Sequence, residues 1–476
     1  MSTTSNDPIV LPNLRPTVAG EPVPGTEIAD LDEVLTGAEQ WIDSAEAPDP
    51  QLPEVSRWTA WPDDPDYLPS YGTISLNTGA AGIAWYAGLA ADAGRSGAAE
   101  RRDRALATVA ARWQDDLDAE IRLPLAGLGV GFYGGLGGLA SVTLGLADQS
   151  PVAADLAPRI VAEILDREGR TGGREAGWTG VNALLGDAGP LLVLLQATDQ
   201  VADLDPSNAP LADRARSAAV AVGELLLAEE RRDENRSSWI GVTAQHLGAP
   251  ATDGPPASLG EGFEVGTTGI AYALAELGRR TGQSRFVDAS VRGATSIVEA
   301  AVPVGEDAVL QGGARGYAFG YCSGSAGAIR GLVGVFRATG DPAWLEWAER
   351  FGRGILRSGV PGRHTPGNLW VQHQCCGGAG ILEAFLGLWW ETGDQLWLDA
   401  ARVQADDLVI RSTVDQRGRR WYSEAFVLPV GRLKAEVGHQ VGASGVGVAL
   451  LRMQAAEQGR PDQPSGTRRL ADDPFA

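Results

Sequence analysis

A pair of glycines separated by two residues recurs seven times along the chain, each time directly before a strongly apolar stretch. We call each pair, with the residues directly before it, the entrance of a repeat. The spacing of roughly 50 to 80 residues leaves room for two helices and their connections. Because recurrence of this kind is the signature of a repeat architecture, the sequence predicts seven copies of one helical unit. The pairs are Gly79 and Gly82, Gly135 and Gly138, Gly186 and Gly189, Gly266 and Gly269, Gly324 and Gly327, Gly377 and Gly380, and Gly442 and Gly445.

The stretch after each pair is apolar on nearly every face, as in 270–277 and 445–453. Such a pattern is typical of a helix buried on all sides, and it predicts an inner helix in each repeat. Amphipathic segments with one charged face alternate with these stretches and predict outer helices. The predicted outer helices span 28–45, 99–117, 152–166, 212–229, 285–300, 342–356 and 396–410.

Seven inner and seven outer helices fit a closed double ring better than an open solenoid. A solenoid needs polar caps at its ends, whereas the last inner helix here is as apolar as the middle ones. We therefore predict an all-α fold, an α/α toroid of seven inner and seven outer helices. Residues 1–26 are predicted to be a flexible N-terminal tail, 27–457 the toroid domain and 458–476 a flexible C-terminal tail.

Composition limits the classes of function. A chain of 476 residues with 44% hydrophobic content can bury a large core. Three cysteines and no apolar signal segment argue against a secreted disulfide framework, so we expect a soluble, cytoplasmic protein. No apolar run approaches the roughly 18 to 20 residues that a membrane span needs. The net charge of −22 argues against nucleic acid as a partner and favours basic peptides.

All three cysteines lie at two consecutive entrances. Cys322 and Cys375 each stand two residues before the first glycine of their pair, and Cys376 follows. Adjacent repeats of a ring bring such positions side by side, and a helix N-terminus lowers the pKa of a thiol. Three thiolates suit zinc and leave its fourth position open, so we predict Zn²⁺ bound by these three residues. The plainer alternative is that they are ordinary buried cysteines.

The chain resembles the lanthionine synthetase C-like family, the lanthipeptide cyclases, from about residue 28 to about residue 455. The resemblance rests on the stretches 75–83, 131–135, 320–324, 375–377 and 442–445. It implies a toroid of seven repeats whose zinc ligands match Cys322, Cys375 and Cys376. It also implies that a zinc-activated cysteine thiolate of a precursor peptide adds to a dehydroamino acid to close a thioether ring, after a separate dehydratase protein has acted.

The sequence departs from the family at two positions. Val265 stands where the family has its catalytic histidine, and Asn182 stands where it has the companion aspartate. Valine cannot transfer a proton, so another group must protonate the enolate that ring closure produces. Glu264, at the fourth entrance in the position equivalent to Cys322, is our predicted donor, and His439 at the seventh entrance is the second candidate.

Asp187 and His373 are further candidates for the donor. Each of the four candidates can equally be a polar group that caps a helix start. The leading hypothesis for function is a cyclase of ribosomal peptide maturation. Two alternatives stay open: a zinc-thiolate protein that binds a thiol such as glutathione, or a partner, without ring closure, and a non-catalytic scaffold subunit of a peptide-modifying complex.

Overall fold

The structure is a computed structural model of the 476-residue chain. It describes residues 8–12, 17–18, 21–22, 28–64, 67, 71–115, 128–167, 179–243, 245–247, 260–310, 319–362, 371–424, 433–459 and 468–475. Fourteen α-helices lie within these ranges, as the alternation of the sequence predicts.

The helices form two concentric rings. The inner helices are α2 (Ala80–Asp92), α4 (Leu136–Gly145), α6 (Ala188–Leu204), α8 (Thr267–Thr281), α10 (Ser325–Thr339), α12 (Gly378–Thr392) and α14 (Ala443–Glu457). The outer helices are α1 (Leu31–Asp43), α3 (Ala98–Arg112), α5 (Pro151–Arg167), α7 (Ala209–Ala228), α9 (Ser284–Glu299), α11 (Pro342–Arg357) and α13 (Gln395–Ile410). Each outer helix from α3 to α13 packs against the inner helix directly before it.

Burial explains the division into rings. Every residue of α2 from Ala80 to Ala90 is buried, whereas α9 buries only a stripe that includes Phe286, Ala289, Gly293 and Ile297. This spacing of three to four residues puts the apolar side chains on one face of the helix. The sequence pattern therefore decides which helices can line the axis and which must face water.

The ring closes between the two ends of the chain. Inner helix α14 packs against α2, and outer helix α1 packs against α14, the last inner helix. The first outer helix thus completes the last repeat, and no inner helix is left with an open flank. The predicted all-α toroid of seven inner and seven outer helices is confirmed.

Glycine is required at the start of the inner helices because the backbone comes too close for a side chain. A Cβ on Gly269 would lie 1.9 Å from the carbonyl oxygen of Phe263, and a Cβ on Gly445 would lie 1.7 Å from that of His439. These contacts pack each entrance loop tightly on its own helix. The recurring glycine pair therefore has a structural role, and chemistry must come from the residues before it.

Within the described residues, short strands form six two-stranded antiparallel sheets. The strands are β1 (Thr17–Val18), β2 (Glu21–Pro22), β3 (Glu46–Pro48), β4 (Ser56–Trp58), β5 (Arg231–Asp233), β6 (Arg236–Ser238), β7 (Ala301–Val304), β8 (Asp307–Leu310), β9 (Thr413–Asp415), β10 (Gly418–Arg420), β11 (Ser423–Glu424) and β12 (Leu433–Lys434). The described residues also include 3₁₀ turns at Leu128–Val130, Pro206–Asn208 and Gln245–Leu247. No helix in the described ranges combines the length and the apolar character that crossing a bilayer requires.

The tails differ from the prediction where the structure describes them. Residues 468–475, which we call the C-terminal segment, fall in the predicted flexible tail but contain buried side chains, including Leu470 and Phe475. The segment packs inside the inner ring because its apolar and charged side chains find specific partners there, and polar composition alone did not reveal them. Of the predicted tail 1–26, 8–12 and the β1–β2 hairpin are described, and the rest lies outside the described residues.

Candidate metal centre

Backbone hydrogen bonds join neighbouring entrances around the ring. In five repeats, the residue two positions before the first glycine donates its N–H to the equivalent carbonyl of the next repeat, at 2.9 to 3.0 Å. Leu185, one position later in its own repeat, donates to the carbonyl of Glu264 at 3.2 Å. The five bonds run from Asn77 to Tyr133, Glu264 to Cys322, Cys322 to Cys375, Cys375 to Gln440 and Gln440 to Asn77. These hydrogen bonds hold the equivalent residues of neighbouring repeats side by side around the ring.

This ring brings the three cysteine sulfurs together. The Sγ atom of Cys376 lies 3.0 Å from that of Cys322 and 3.3 Å from that of Cys375. All three sulfurs lie within 4.8 Å of one another, and no disulfide joins them. Zinc–sulfur bonds of about 2.3 Å in a tetrahedron place two sulfurs ~3.8 Å apart, so binding needs shifts of under about 1 Å. The side chains are only partly buried, which leaves one side of the cluster accessible.

The thiols cannot all ionise without a cation. Hydrogen bonds from Cys375 and Cys376 lower the pKa of Cys322 well below its ordinary value. Hydrogen bonding to Cys322 in turn raises the pKa of the Cys375 and Cys376 thiols well above theirs. One thiolate is therefore stabilised by its neighbours, and two further negative charges at the same place require a positive ion. A soft-ligand divalent cation such as zinc meets that requirement, so the donor set fits zinc.

Glu264 lies against this cluster. Its Oε2 atom accepts a hydrogen bond from the Sγ of Cys375 at 3.4 Å, and its side chain is buried. Burial, followed by the negative charge of Cys322, raises the pKa of Glu264 to about 8. The carboxyl group therefore carries a proton at neutral pH while touching a thiol. The structure places this residue where the repeat register predicts.

His439 has a different environment. It lines a cavity of about 20 Å³ together with Tyr321, Gln374 and Asp472, and among the described residues it has no hydrogen bond to the cysteines. Its Nδ1 atom has no hydrogen-bond partner in the described part of the chain. Burial lowers the pKa of His439 to about 3, so the imidazole is neutral at physiological pH. A neutral imidazole is a weaker acid than a protonated carboxyl group, so Glu264 is the stronger acid of the two candidates.

The two lesser candidates, His373 and Asp187, accept hydrogen bonds from nearby groups of their own connections. The Nδ1 atom of His373 accepts from the N–H of Cys376 at 3.4 Å, and burial lowers its pKa to about 4. Asp187 accepts from both the N–H and the hydroxyl group of Thr179 at 2.8 Å. His373 thus caps the turn before its helix, whereas Asp187 ties its helix start to Thr179 and makes no capping hydrogen bond to the helix itself.

The two positions that depart from the family are structural in this chain. Val265 packs against the hydrophobic core, and its carbonyl accepts from the N–H of Val242 at 2.8 Å. The Nδ2 atom of Asn182 donates to the carbonyl of Ile240 at 3.1 Å. Neither side chain offers an acid or a base at this centre.

Tyr71 is a neighbour of the cluster that the sequence analysis missed. Burial, and then the negative charges of Glu264 and the cysteines, raise the pKa of its phenol well above the ordinary value. Its ring lies over Gly134, where an added Cβ would come within 2.7 Å of the ring. Tyr71 precedes the first entrance in a connection without periodicity, so no repeat register marks it in the sequence.

A second group that the sequence analysis missed joins two entrances to the C-terminal segment. The hydroxyl groups of Tyr133 and Tyr321 contact each other, and both donate to the carboxylate of Asp472 in the C-terminal segment. Tyr321 directly precedes Cys322 in the chain. Tyr133 and Tyr321 belong to motifs that the sequence analysis used, but nothing in the sequence connects them with a residue assigned to a tail.

Comparison with known proteins agrees with this architecture. The family model described as lanthionine synthetase C-like protein matches residues 70–463. A solved structure of nisin cyclase is similar at 12% sequence identity and a TM-score of 0.57, covering 82% of this chain and 90% of that chain. No curated protein matches the sequence.

Two further solved structures show weaker similarity. One is cellobiose 2-epimerase from Spirochaeta thermophila, with 13% identity, a TM-score of 0.43 and coverage of 68% of this chain and 86% of that chain. The other is an unsaturated glucuronyl hydrolase specific for heparin, with 12% identity, a TM-score of 0.43 and coverage of 90% and 98%. At these TM-scores neither protein bears on the function of this chain.

Proposed function

The chain belongs to the lanthionine synthetase C-like family, and from that premise we propose that it is a zinc-dependent cyclase of lanthipeptide-type maturation. In this proposal a cysteine thiol of a precursor peptide adds to a dehydroamino acid of the same peptide, and a thioether ring forms. The observation that carries the proposal is the cluster of three partly buried cysteine sulfurs beside the buried carboxyl group of Glu264. A metal site and an acid at one accessible place are what this addition needs.

Cys322, Cys375 and Cys376 would hold the metal. Zinc bound there would lower the pKa of a substrate thiol and leave it nucleophilic at neutral pH. The ring of backbone hydrogen bonds fixes the two entrance loops that carry these ligands, because the backbone N–H of Cys322 donates to the carbonyl of Cys375 at 2.9 Å. A preorganised donor set loses little entropy when it binds a ligand.

Glu264 is proposed as the proton donor. In ring closure the sulfur forms a bond to the β-carbon, the electrons of the carbon–carbon double bond move into an enolate, and the α-carbon gains a proton. Glu264 supplies that proton and recovers one from the next substrate thiol by way of solvent, so the reaction is balanced as an isomerisation. Its contact with Cys375 at 3.4 Å places the carboxyl group beside the thiols. His439 stays the second candidate for this role.

The substrate class follows from the same chemistry. The peptide must contain both cysteine and dehydroamino acids, so a separate dehydratase must act on it first. A basic peptide is favoured because the chain carries a net charge of −22, which attracts cations over the Debye length.

The proposal is tested with a synthetic peptide that contains one dehydroalanine and one cysteine. Zinc-loaded protein should abolish alkylation of the peptide thiol and leave the peptide mass unchanged, because ring closure is an isomerisation. If the peptide binds and its thiol stays alkylatable, the protein is a thiol-binding zinc protein and the cyclase proposal is wrong. If the peptide neither binds nor reacts, the scaffold alternative is favoured instead.

A further inference from the structure

The C-terminal segment fills the middle of the inner ring. Arg468 forms ion pairs with Asp92, near the end of α2, and with Asp148, directly after α4. Asp473 pairs with Arg452 of α14 at 2.6 Å. The N–H of Ala471 donates to the hydroxyl group of Ser141 in α4 at 2.9 Å. The segment is therefore bound to several inner helices at once.

Close packing against a helix glycine holds Phe475, the last described residue of the segment, in place. The ring of Phe475 packs on Gly387 of α12, where an added Cβ would lie 2.3 Å from the ring. The guanidinium group of Arg330 lies 5.4 Å from the centre of that ring and 4.8 Å from the centre of the Tyr321 ring. One buried arginine thus links the C-terminal segment with the residue that precedes a cysteine.

Asp472 differs from the other charged residues of the segment. Arg468 and Asp473 each form an ion pair with an oppositely charged side chain, whereas the Asp472 carboxylate accepts hydrogen bonds, within the described residues, from two phenols, those of Tyr133 at 3.0 Å and of Tyr321. Its side chain is 4% exposed, and the two tyrosines are 0% and 1% exposed. A carboxylate buried on two hydroxyl groups holds those groups in one geometry, since moving away would cost the carboxylate both hydrogen bonds.

The two phenols belong to entrance loops. Tyr321 directly precedes Cys322, and the carbonyl of Tyr133 accepts from Asn77 in the ring of entrance hydrogen bonds. We propose that Asp472 is a positioning residue for the three-cysteine centre, which acts by holding Tyr321 and through it the backbone of Cys322. The C-terminal segment is then a part of the metal centre that approaches it from the opposite side of the barrel.

The inference rests on the proposed metal site, so the test measures metal binding and not ring closure. Full-length Asp472→Ala protein should bind zinc about tenfold more weakly than wild type in competition with a chromogenic chelator, as is typical when an outer contact of a ligand is lost. With cobalt in place of zinc, the thiolate-to-metal and d–d absorption bands should shift. Unchanged zinc affinity together with unchanged cobalt bands would show that Asp472 only stabilises the fold.

Arg468→Met is the matched control. The substitution removes the ion pairs at the other end of the same segment. Within the described residues, Arg468 contacts no residue of the cysteine loops. It should lower the melting temperature, yet leave the cobalt spectrum and the zinc affinity as in wild type. If Arg468→Met changes the spectrum as much as Asp472→Ala does, the effect comes from general loosening of the segment, and the positioning role is wrong.

A double-mutant cycle keeps the inference testable if Asp472→Ala does not fold. Asp472→Asn replaces the carboxylate by an uncharged and weaker acceptor, so it should by itself weaken zinc binding, and Tyr321→Phe removes the hydroxyl group that the carboxylate binds. The double variant should lose no more zinc affinity than Tyr321→Phe alone, because the two residues act as one unit. Additive losses would overturn the inference. A wild-type protein that binds no zinc would instead overturn the proposed function, so the two failures can be told apart.

Discussion

The two ends of the toroid are built on different principles. At the entrance end, the same backbone position recurs in each repeat, and its occupants differ: Glu264, Cys322 and Cys375 in three consecutive repeats. At the opposite end, a single segment, 468–475, fills the ring with contacts that occur once. In this fold, the chemically reactive side chains come from variation at one repeated position. The filling of the barrel comes from a segment that occurs only once in the chain. Apart from Asp472, whose contact with Tyr321 links the two ends, substitutions at the two ends should therefore have separable effects.

The largest expected effect belongs to the entrance end. Glu264→Gln removes the proposed proton donor while keeping the size of the side chain, so ring closure should slow roughly 10³-fold, within the usual range for loss of a general acid. Zinc content should stay as in wild type. The measurement is the rate at which the peptide thiol is lost.

Asp187→Asn is the matched control for that experiment, because it changes another entrance acid whose contacts are with Thr179. Its rate should lie within about twofold of wild type, as expected for a group outside the reaction. If Glu264→Gln closes rings at the wild-type rate with zinc bound, the assignment of the donor is wrong, and His439 is the next residue to test.

The next effect belongs to the opposite end. Gly387→Ala places a Cβ against the ring of Phe475, and an overpacked core contact of this kind should cost about 3 kcal/mol of unfolding free energy. Chemical denaturation measures the loss. In the Phe475→Ala background the same substitution should cost much less, since the clash is gone. Equal costs in both backgrounds would mean that the C-terminal segment does not pack on Gly387.

A smaller effect concerns acid stability at that end. Burial opposes ionisation of Asp473, but Arg452 and Arg330 outweigh it and lower its pKa from 3.8 to about 2. Because the pKa of Asp473 is lower in the folded state than in the unfolded state, its carboxylate stabilises the fold at pH values above the unfolded-state pKa. This stabilisation is lost as the pH falls towards the folded-state pKa. The corresponding free energy is about 2 kcal/mol.

Denaturation curves at pH 5 and pH 2 test this point. The unfolding free energy of wild type should fall by about 2 kcal/mol more than that of Asp473→Asn over that interval, because the variant has no carboxylate to protonate. Parallel losses in the two proteins would contradict the buried ion pair with Arg452. A change in zinc affinity of Asp473→Asn at neutral pH would show that the two ends are less separable than we argue.

The same contrast explains what could be predicted from the sequence. The glycine pairs and the alternation of apolar and amphipathic stretches predict the inner and outer helices, because repeats show the same signal seven times. The convergence of Cys322, Cys375 and Cys376 follows from that register, and so does the position of Glu264. Binding of zinc and donation by Glu264 stay predictions.

The parts of the structure that could not be predicted are contacts that occur only once and have no counterpart in the other repeats. The C-terminal segment lies within the predicted flexible tail 458–476, yet Asp472 and Phe475 are buried, and the segment shows no repeated pattern that would mark it. Tyr71 was missed for the same reason. Unique tertiary contacts of this kind depend on where a segment docks, and local composition carries no information about that.

The central claim is that three converging thiols hold one zinc ion, and elemental analysis of the purified protein tests it most directly. Wild type should contain about one zinc per chain, and Cys322→Ser and Cys375→Ser should lose it, since a site of three protein ligands cannot spare one. Cys376→Ser should lose it as well, and full zinc in that variant would remove Cys376 from the set of ligands. Wild-type protein that contains no zinc, and takes up none after reduction and reconstitution, would contradict the account.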